Sequence, residues 1–328
     1  MRVLVVTNMW PSEQRPHWGA FVKSQVDSLS AAGIENTIHE IEGWKSMGRY
    51  VSALRALPAI AKRCGAQLVH AHYGYSGAAC ARVRLPLVVS FCGDDLLGRP
   101  DEAGRLSFKS RALIPLSRWA AGRADGVIVK SEEMRRVIPG VADVNVIPNG
   151  VDMERFSPQP RDQARAALGW PVNGQVLLFA ANPEEPRKNF ALARHVEMAL
   201  RARGTDVRLE HVYGRPQSVM VQAMNAADVL LLPSYHEGSP NVVKEAMSCG
   251  LPVVAAPVGD CEERLRDCAP SAVVARTGEA FTEATARVLA AGTRSNGRER
   301  VAALALPAVA RRVMDVYERA IARFRGGR

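Results

Sequence analysis

The chain has 328 residues, of which 47% are hydrophobic and 23% charged, a balance typical of soluble globular proteins with room for two domains. No apolar run reaches the roughly 18 residues of a membrane-spanning helix, and six cysteines without a Cys-x-x-Cys pair indicate reduced thiols rather than a zinc site, so we expect a cytoplasmic protein. The formal net charge of +10 favours anionic partners, but no basic patch interleaved with aromatic residues indicates nucleic-acid binding.

The chain begins with a strand, a loop and a helix. Residues 2–7 are a short apolar run that predicts a buried strand, and residues 20–32 have helical periodicity. Gly19 lies directly before the helix, where a glycine permits close approach of the backbone to a ligand. A turn explains a lone glycine equally well.

A basic amphipathic segment follows the second strand. Residues 44–64 place apolar side chains at helical spacing, with lysines and arginines between them. Such a helix packs on its own sheet or lies on an anionic membrane; core packing is the favoured interpretation, and Pro58 predicts a break. Residues 99–123 have a similar composition and form a second candidate surface for an anionic acceptor, with a solvated helix face as the alternative.

Polar residues lie at the ends of the next two strands. His70 and His72 point to the same side of a predicted strand, and we expect a structural role for His70. His72 is closer to the carboxyl end of the strand, where ligands collect in parallel sheets. Asp94 and Asp95 follow the next strand and are candidates for binding acceptor or sugar hydroxyls; a simple turn explains them equally well.

The pattern of alternating strands and helices starts again in the second half of the chain. Residues 156–171 contain prolines and polar residues and are interpreted as a linker, and residues 175–181 predict a new first strand. Arg187 and Lys188 lie in the loop after this strand. The chain closes with a long amphipathic pattern over residues 302–324.

The most informative stretch, residues 228–257, predicts a strand, a tight loop, a helix and a second strand. Ser239 is a candidate N-cap and Pro240 suits the first helical position, whereas Gly250 suits the helix end. The loop of this βαβ unit therefore opens at the carboxyl end of a parallel strand.

Two carboxylates flank the amino end of this helix. The helix start presents unpaired amide groups and a partial positive charge, which suit a phosphate or pyrophosphate. Glu237 precedes the helix and Glu245 lies within it, and carboxylates are good acceptors for hydroxyl groups. The arrangement fits a ligand with phosphate in the middle and polyols at both ends, as in a nucleotide sugar. The alternative is that both glutamates are solvated.

The sequence of this stretch resembles the signature of the family-4 retaining glycosyltransferases, which have the GT-B fold. Residues 237–254 match the two glutamates separated by seven residues, together with the Gly-Leu-Pro-Val-Val that follows. Residues 8–25 and the Ile-Pro-Asn-Gly-Val-Asp of residues 147–152 resemble other segments of that family. Within that family, the chain resembles bacterial enzymes of cell-wall and exopolysaccharide assembly, including the teichuronic-acid type.

The resemblance and the two successive α/β blocks imply the same architecture. We expect two Rossmann-like, doubly wound domains that face a central cleft. Residues 1–155 would form the acceptor-binding domain and residues 156–305 the nucleotide-sugar-binding domain. Residues 306–328 would form a helix that packs back on the first domain.

The resemblance also assigns roles to single residues. Glu245 would accept hydrogen bonds from the ribose, Glu237 would orient the donor sugar, Lys188 would bind the diphosphate, and His72 would lie beside the sugar. Further residues implied in donor binding are Gly19, Arg187, Tyr213, Gly214, Gly238, Ser239, Pro240, Asn241 and Val242. No metal ligand and no cofactor are implied.

The chain departs from the family pattern at two positions. Cys92 stands where the family often has a histidine, which puts a histidine role at that loop in doubt. Asn182 stands where an arginine that grips the diphosphate is expected. Arg187 is a candidate replacement for that arginine.

Together these features predict a retaining glycosyltransferase that moves a sugar from a nucleotide diphosphate, most simply UDP, to an acceptor hydroxyl. We expect a role in cell-surface polysaccharide or glycolipid assembly, a sugar or lipid-linked acceptor, and candidate contact with an anionic membrane at its inner face. The alternatives are a nucleotide-sugar epimerase of the same fold and a non-catalytic sugar-nucleotide-binding protein. The two departures favour the second alternative.

Overall fold

The computed structural model describes residues 1–98, 105–106 and 108–327, and these fall into two compact units. Unit 1 comprises Met1–Gln14, Trp18–Gly150 and Leu306–Arg328, and unit 2 comprises Arg15–His17 and Val151–Ala305. Each unit is built on one parallel sheet, so the predicted α/β fold with two Rossmann-like domains is confirmed.

Across the described residues, unit 1 contains six parallel strands, of which the four central ones are almost completely buried and the two edge strands are not. They are β1 (Arg2–Thr7), β2 (Glu35–Glu40), β3 (Leu68–His72), β4 (Leu87–Ser90), β5 (Gly126–Val129) and β6 (Val144–Val146). Their order across the sheet is β2-β1-β3-β4-β5-β6. Thr7, His72 and Ser90, the last residues of three neighbouring strands, are paired in register, so these strands end at one edge.

Seven helices surround this sheet in the described residues. They are α1 (Ala20–Ala31), α2 (Gly48–Arg63), α3 (Gly74–Ala79), α4 (Asp94–Leu97), α5 (Phe108–Arg123), α6 (Glu132–Arg136) and the final helix of the chain, α14 (Leu306–Arg325). The helix α14 packs against α1 and against β4 and β5. Val309, Val313, Val316 and Ala320 recur at helical spacing and are all buried, which explains why this amphipathic helix belongs to unit 1.

Unit 2 contains five parallel strands in the order β11-β10-β9-β7-β8. They are β7 (Gln175–Phe179), β8 (Val207–His211), β9 (Val229–Leu232), β10 (Val253–Ala255) and β11 (Ala272–Val273). The helices are α7 (Arg161–Leu168), α8 (Phe190–Ala202), α9 (Gln217–Ala226), α10 (Asn241–Ser248), α11 (Cys261–Leu265), α12 (Gly278–Ala291) and α13 (Gly297–Val301). Short 3-10 helices cover Pro186–Lys188 and Ala302–Leu304.

Two predictions about local structure are wrong. Pro58 does not break α2, because it lies in a continuous helix from Gly48 to Arg63. The segment 156–171 is not a bare linker, because it contains α7. The side chain of Arg165 in α7 is completely buried and donates to Asp228 Oδ2 over 2.8 Å. The predicted surface 99–123 lies partly outside the described residues, at 99–104 and 107.

The predicted βαβ unit of residues 228–257 is present as β9, α10 and β10, with β9 and β10 paired in parallel. The predicted helix start is one residue too early, because α10 begins at Asn241 and Pro240 is its N-cap residue. Ser239 is not the capping side chain, since its hydroxyl donates to Asp260 Oδ2 over 2.9 Å. The neighbouring Asp260 competes for this hydroxyl, an interaction that local sequence could not reveal.

Candidate functional site

The carboxyl edge of the sheet in unit 2 carries a cluster of oppositely charged side chains. Lys188 follows β7 and Glu237 follows β9, the strand next to β7. Lys188 Nζ donates to Glu237 Oε1 over 2.6 Å, and Arg187 Nη1 donates to Glu237 Oε2 over 3.1 Å. Both carboxylate oxygens of Glu237 are therefore engaged by cations from the neighbouring loop.

Glu237 is ionised in this environment. Its side chain is buried, with 8% of the residue exposed, and burial alone would raise its pKa. The positive charges of Lys188 and Arg187 outweigh burial and hold the pKa of Glu237 below its ordinary value. The structure thus excludes the interpretation that Glu237 is a solvated loop residue.

Arg187 is occupied by protein acceptors. Besides Glu237, it donates to the backbone carbonyl of His236 over 2.9 Å and to Glu185 Oε1 over 3.0 Å. An arginine held by two carboxylates and a carbonyl fixes loop geometry. In the described part of the chain, Lys188 Nζ contacts Glu237 alone, so Lys188 is better suited than Arg187 to bind a ligand phosphate.

A second arginine, which sequence reasoning missed, holds the same loop from the other side. Arg276 follows β11, and its Nε donates to the carbonyl of Ser234 over 3.0 Å. Its Nη2 donates to the carbonyl of Tyr235 over 3.2 Å, and the guanidinium lies 5.0 Å from the Tyr235 ring centre. The loop that carries Glu237 is therefore held by arginines from two different loops.

The amino end of α10 is stabilised by a chain of polar contacts. Lys244 Nζ donates to Ser239 Oγ over 3.1 Å, and Ser239 in turn donates to Asp260. The turn after β10 also lies close to this segment: a Cβ on Gly259 would lie 2.6 Å from the carbonyl oxygen of Gly238. These contacts fix the loop 238–240 ahead of the first-turn amides of Asn241 and Val242.

Glu245 lies in α10, four residues after Asn241, and is half-buried. Burial raises its pKa to about 7, although the neighbouring Lys244 acts in the opposite direction. The carboxyl group therefore titrates near neutral pH, unlike that of a solvated helix residue. Tyr213 and Gly214, which follow β8 at the same edge of the sheet, are exposed, and Gly214 has a φ of +67°.

The carboxyl edge of unit 1 holds a buried polar cluster of a different kind. His70 Nδ1 hydrogen-bonds the Tyr317 hydroxyl over 2.7 Å, and His70 Nε2 hydrogen-bonds Ser90 Oγ over 2.8 Å. The ring of His72 lies 4.2 Å from the ring of His70 and is buried, yet neither of its nitrogens has a hydrogen-bond partner among the residues that the structure describes. His70 has the contacts of a structural histidine, and His72 does not.

Of the two aspartates after β4, Asp95 is completely buried and bound by the backbone. Its Oδ1 accepts from the amides of Cys92 and Gly93, and its Oδ2 accepts from the amide of Gly74, over 2.9–3.0 Å. Burial raises the pKa of Asp95 to about 6 despite these three donors. Asp94 is half-buried at the start of α4 and remains the more accessible of the two.

A buried lysine that sequence reasoning missed adjoins this cluster. Lys130 directly follows β5 and is 2% exposed, and its ammonium donates to the carbonyl of Ile147 over 3.4 Å. Burial lowers its pKa to about 8. Burial and the neighbouring His70 lower the pKa of His72, and the positive charge of Lys130 adds to this lowering. The same charge acts on Cys92, so these side chains share one environment. The signal in the sequence was a lysine that ends the apolar run Gly-Val-Ile-Val.

Gly19 ends the loop after β1 and is the N-cap of α1, with a φ of +71°. A Cβ at this position would lie 2.3 Å from the carbonyl oxygen of Met9. Any other residue would therefore displace the loop that follows β1.

Two family models together match most of the chain. The model described as Glycosyltransferase Family 4 matches residues 1–155, and the model described as Glycosyl transferases group 1 matches residues 175–291. Together the two matches identify the chain as a glycosyltransferase of the family-4 and group-1 type. The second match contains Lys188, Glu237 and Glu245, so the charged edge of unit 2 lies in a glycosyltransferase domain.

Individual relatives of this glycosyltransferase agree with that assignment. A protein of Bacillus subtilis strain 168, TuaC, named as a teichuronic acid biosynthesis glycosyltransferase, is 23% identical, with 88% of this chain and 89% of the relative covered. A D-inositol 3-phosphate glycosyltransferase of Saccharomonospora viridis is 28% identical over 79% of this chain and 71% of its own.

Solved structures confirm the GT-B fold of the glycosyltransferase. A sucrose-phosphate synthase from Thermosynechococcus elongatus superposes with a TM-score of 0.76 at 20% identity, covering 98% of this chain and 100% of the other. The Anabaena protein HepE in complex with UDP superposes with a TM-score of 0.67 at 16% identity, over 97% and 100% of the two chains.

The described part of the glycosyltransferase contains no group of three or more histidine, cysteine or acidic side chains placed to hold a metal ion. Across residues 1–98, 105–106 and 108–327, none of the helices combines the length and apolar character needed to cross a bilayer.

Proposed function

We propose that this glycosyltransferase moves a sugar from a nucleotide diphosphate, UDP in the first instance, to an acceptor hydroxyl with retention of the anomeric configuration. The acceptor is a sugar or a lipid-linked sugar in the assembly of a cell-surface polysaccharide or glycolipid. The transfer requires neither a metal ion nor another cofactor.

The observation that carries the proposal is the contact of Lys188 and Arg187 with the buried carboxylate of Glu237, next to the amino end of α10. A cation and a helix amino end at one strand edge attract a diphosphate. An ionised carboxylate beside them can accept hydrogen bonds from the hydroxyls of the attached sugar. Glu245, farther along the same helix, is suited to the hydroxyls of the ribose.

These groups also have the charges that the reaction needs. As the sugar leaves, negative charge develops on the diphosphate, and Lys188 with the first-turn amides of α10 stabilises it in place. Glu237 stabilises the positively charged, oxocarbenium-like sugar and holds its orientation. At the described edge of unit 2, Glu237 is the side chain best placed to form a covalent intermediate with the sugar. Both of its oxygens are bound by cations, however, which makes it a poor nucleophile. We therefore favour attack by the acceptor on the leaving-group face, with the departing phosphate accepting the proton.

The names of the relatives support the finer parts of the proposal. Structures of the Anabaena protein HepE, similar in fold, are titled as complexes with UDP and with UDP-glucose. The Bacillus subtilis relative is named for teichuronic acid biosynthesis. These names favour a UDP-sugar donor and a cell-surface polysaccharide or glycolipid as the product class.

The direct test is a panel of nucleotide sugars scored by thermal shift. A ligand at 100 times its dissociation constant stabilises the native protein by about 2.7 kcal/mol, which raises the melting temperature by several degrees. We expect one UDP-sugar to stand out and Lys188→Ala to remove most of its shift. A panel in which no nucleotide sugar stabilises the protein would contradict the proposal.

Retention and metal independence need a second assay. With the donor from the panel and a lipid-linked or sugar acceptor, nuclear magnetic resonance of the first product should show the anomeric configuration of the donor. Turnover should be the same with and without EDTA. An inverted product, or activity lost in EDTA and restored by a divalent cation, would contradict the respective part of the proposal.

A further inference from the structure

The turn before α2 and the first half of that helix expose large apolar side chains. Trp44, Met47 and Val51 are 50%, 55% and 50% exposed. Trp44 and Met47 lie in the turn and Val51 in the first turn of the helix. The buried side of the helix is separate, because Ala53, Leu57 and Ala61 face the core of unit 1. Core packing therefore leaves a second apolar surface unexplained.

Basic side chains surround these three residues. Lys45, Arg49 and Arg55 are exposed, and the ammonium of Lys45 lies 5.0 Å from the Trp44 ring centre. Lys45 and Arg49 share one carboxylate, that of Glu42, so the surface keeps a net positive charge. We call Trp44, Lys45, Met47, Arg49, Val51 and Arg55 the α2 face.

The positive charge extends beyond the α2 face. Residues 43–93 contain seven lysines and arginines and no aspartate or glutamate. Three of these cations, Lys62, Arg82 and Arg84, line an open groove of about 560 Å³ beside the carboxyl half of α2. A surface that combines exposed apolar side chains with an excess of basic ones is complementary to an anionic lipid bilayer.

The position of the α2 face connects it with the predicted acceptor site. The turn that carries Trp44 follows β2, and β2 ends at the same edge of the sheet as β1 and β3. Tyr50, in the first turn of α2, accepts a hydrogen bond from Asn8 Nδ2 over 2.9 Å, which ties the helix to the loop after β1. The exposed apolar residues thus flank the edge that carries His72.

We propose that the α2 face docks unit 1 onto a membrane of anionic phospholipid, with Trp44, Met47 and Val51 inserted at the interface and the arginines and lysines on the headgroups. This inference deepens the proposed function, because it rests on a lipid-linked acceptor that is presented at the membrane surface.

The test is co-sedimentation of the full chain with vesicles of phosphatidylcholine alone or mixed with phosphatidylglycerol. We expect binding to the mixed vesicles only, weakening as salt is raised. The triple variant Trp44→Ser, Met47→Ser, Val51→Ser should bind about tenfold more weakly, because membrane binding scales with inserted apolar area. Arg55→Glu should cost more than fivefold, since removing one interfacial cation alone costs about that factor.

Two control variants match these changes elsewhere on the surface. Met198, on α8 in unit 2, is 65% exposed, and Met198→Ser should bind like the wild type. Arg300, exposed in α13, gives the charge control Arg300→Glu. Brominated lipid should quench the wild-type tryptophan fluorescence, and Trp44→Phe should lose most of this quenching.

Three results would overturn the proposal: no vesicle binding at low salt, equal binding to neutral vesicles, or undiminished binding by the α2-face variants. The nucleotide-sugar thermal shift separates this outcome from a failure of the proposed function. If the thermal shift is present in wild type and variants but vesicles do not bind, the membrane surface is wrong and the donor site stands. If the thermal shift is absent, the donor site is wrong whatever the vesicles show.

Discussion

The carboxyl edges of the two sheets of this glycosyltransferase differ in how their buried charged and polar side chains are paired. In unit 2, Glu237 is buried together with its counter-ions, and both of its oxygens are bound by Arg187 and Lys188. In unit 1, His72 is buried without a hydrogen-bond partner, and Lys130 is buried without a carboxylate within ion-pair distance in the described part of the chain. Glu237 is stabilised in its ionised form by groups of the protein itself. Burial of an unpaired polar group, by contrast, lowers the stability of the native state, and a bound ligand that pairs with the group can remove this cost.

The strongest challenge to this comparison is the loss of the carboxylate in unit 2. In Glu237→Gln, the side chain keeps its shape but no longer carries the negative charge that stabilises the sugar cation. We expect kcat to fall by about 10²–10³-fold, the range for removal of one preorganised electrostatic group. Steady-state turnover with the donor identified by thermal shift measures the effect.

Glu185→Gln is the matched control. Glu185 also forms an ion pair with Arg187, but it lies before Arg187 and Lys188 in the chain and has no proposed contact with the sugar. It should change kcat by less than about threefold, as an ion pair near the surface contributes little. If the two variants lose equal activity, the carboxylate of Glu237 acts only by holding Arg187.

The next largest effect should separate the two histidines of unit 1. His72→Leu removes a ring without hydrogen-bond partners, so we expect little loss of stability and a fall in kcat of about 10²-fold, as for other positioned polar groups. His70→Leu leaves the Tyr317 and Ser90 hydroxyls unpaired and should lower the free energy of unfolding by about 1–3 kcal/mol.

Thermal denaturation and turnover of both variants decide the matter. The account predicts a kinetic defect in His72→Leu and a stability defect in His70→Leu. A His72→Leu protein with normal turnover would show that its missing partners have no bearing on the reaction.

A smaller effect should appear as pH dependence of donor binding. Glu245 has a pKa of about 7, so its ionised form, the better acceptor for ribose hydroxyls, is lost as pH falls from 8 to 6. The affinity for a nucleotide sugar, whose diphosphate does not titrate in this range, should fall by up to about tenfold over that interval. Titration calorimetry measures it, and Glu245→Gln should bind equally at both pH values.

In the ligand-free protein, the same raised pKa of Glu245 makes the free energy of unfolding fall, rather than rise, with increasing pH. The native pKa of about 7 lies above the ordinary value of 4.5, so the native state binds this proton more tightly than the unfolded state does. Its contribution to stability is complete below pH 4.5 and is lost as pH rises to 7. Glu245→Gln should lack this loss; a wild-type protein without it would contradict the raised pKa.

The smallest effect should come from Arg276, which positions the Glu237 loop without contacting the carboxylate. We expect Arg276→Ala to lower kcat by about fivefold through a shift of that loop while KM for the donor changes less. Arg276→Lys, which can still donate to one carbonyl, should recover part of the loss.

Arg294→Ala is the control for Arg276→Ala. Arg294 likewise donates to backbone carbonyls, those of Ala227, Met224 and Cys249, but away from the Glu237 loop. It should lower the melting temperature with kcat unchanged. A uniform loss of kcat in both variants would mean that Arg276 acts through general stability.

Much of the fold and of unit 2's edge could be predicted from sequence. The apolar runs around residues 228–257 and their Gly and Pro punctuation placed β9, α10 and β10 within a residue or two, because these signals act locally. The glutamate spacing pointed to Glu237, which the structure brings beside Lys188. The prediction that Ser239 caps α10 was wrong, because its hydroxyl donates to Asp260, 21 residues later in the chain.

What sequence could not supply is the set of partners that only folding brings together. Arg276 is 39 residues from Glu237, and no local pattern shows that its guanidinium reaches the carbonyls of residues 234 and 235. In the sequence, Lys130 is simply a polar residue that ends a strand. Its burial depends on neighbouring elements of the fold, so local sequence could not predict it. Pro58 breaks a helix in the usual case, but α2 continues through it while Ala53, Leu57 and Ala61 pack in the core of unit 1, a tertiary effect that local sequence does not show.

In the proposed function, the α10 amino end binds a diphosphate while Glu237 and Glu245 hold the sugar and the ribose of one molecule. A crystal structure with the donor identified by thermal shift would show this binding mode. We expect ribose hydroxyls within hydrogen-bond distance of Glu245, sugar hydroxyls within that distance of Glu237, and Lys188 on the diphosphate. A nucleotide bound elsewhere, with Glu237 still closed on Lys188 and Glu245 facing only water, would contradict it.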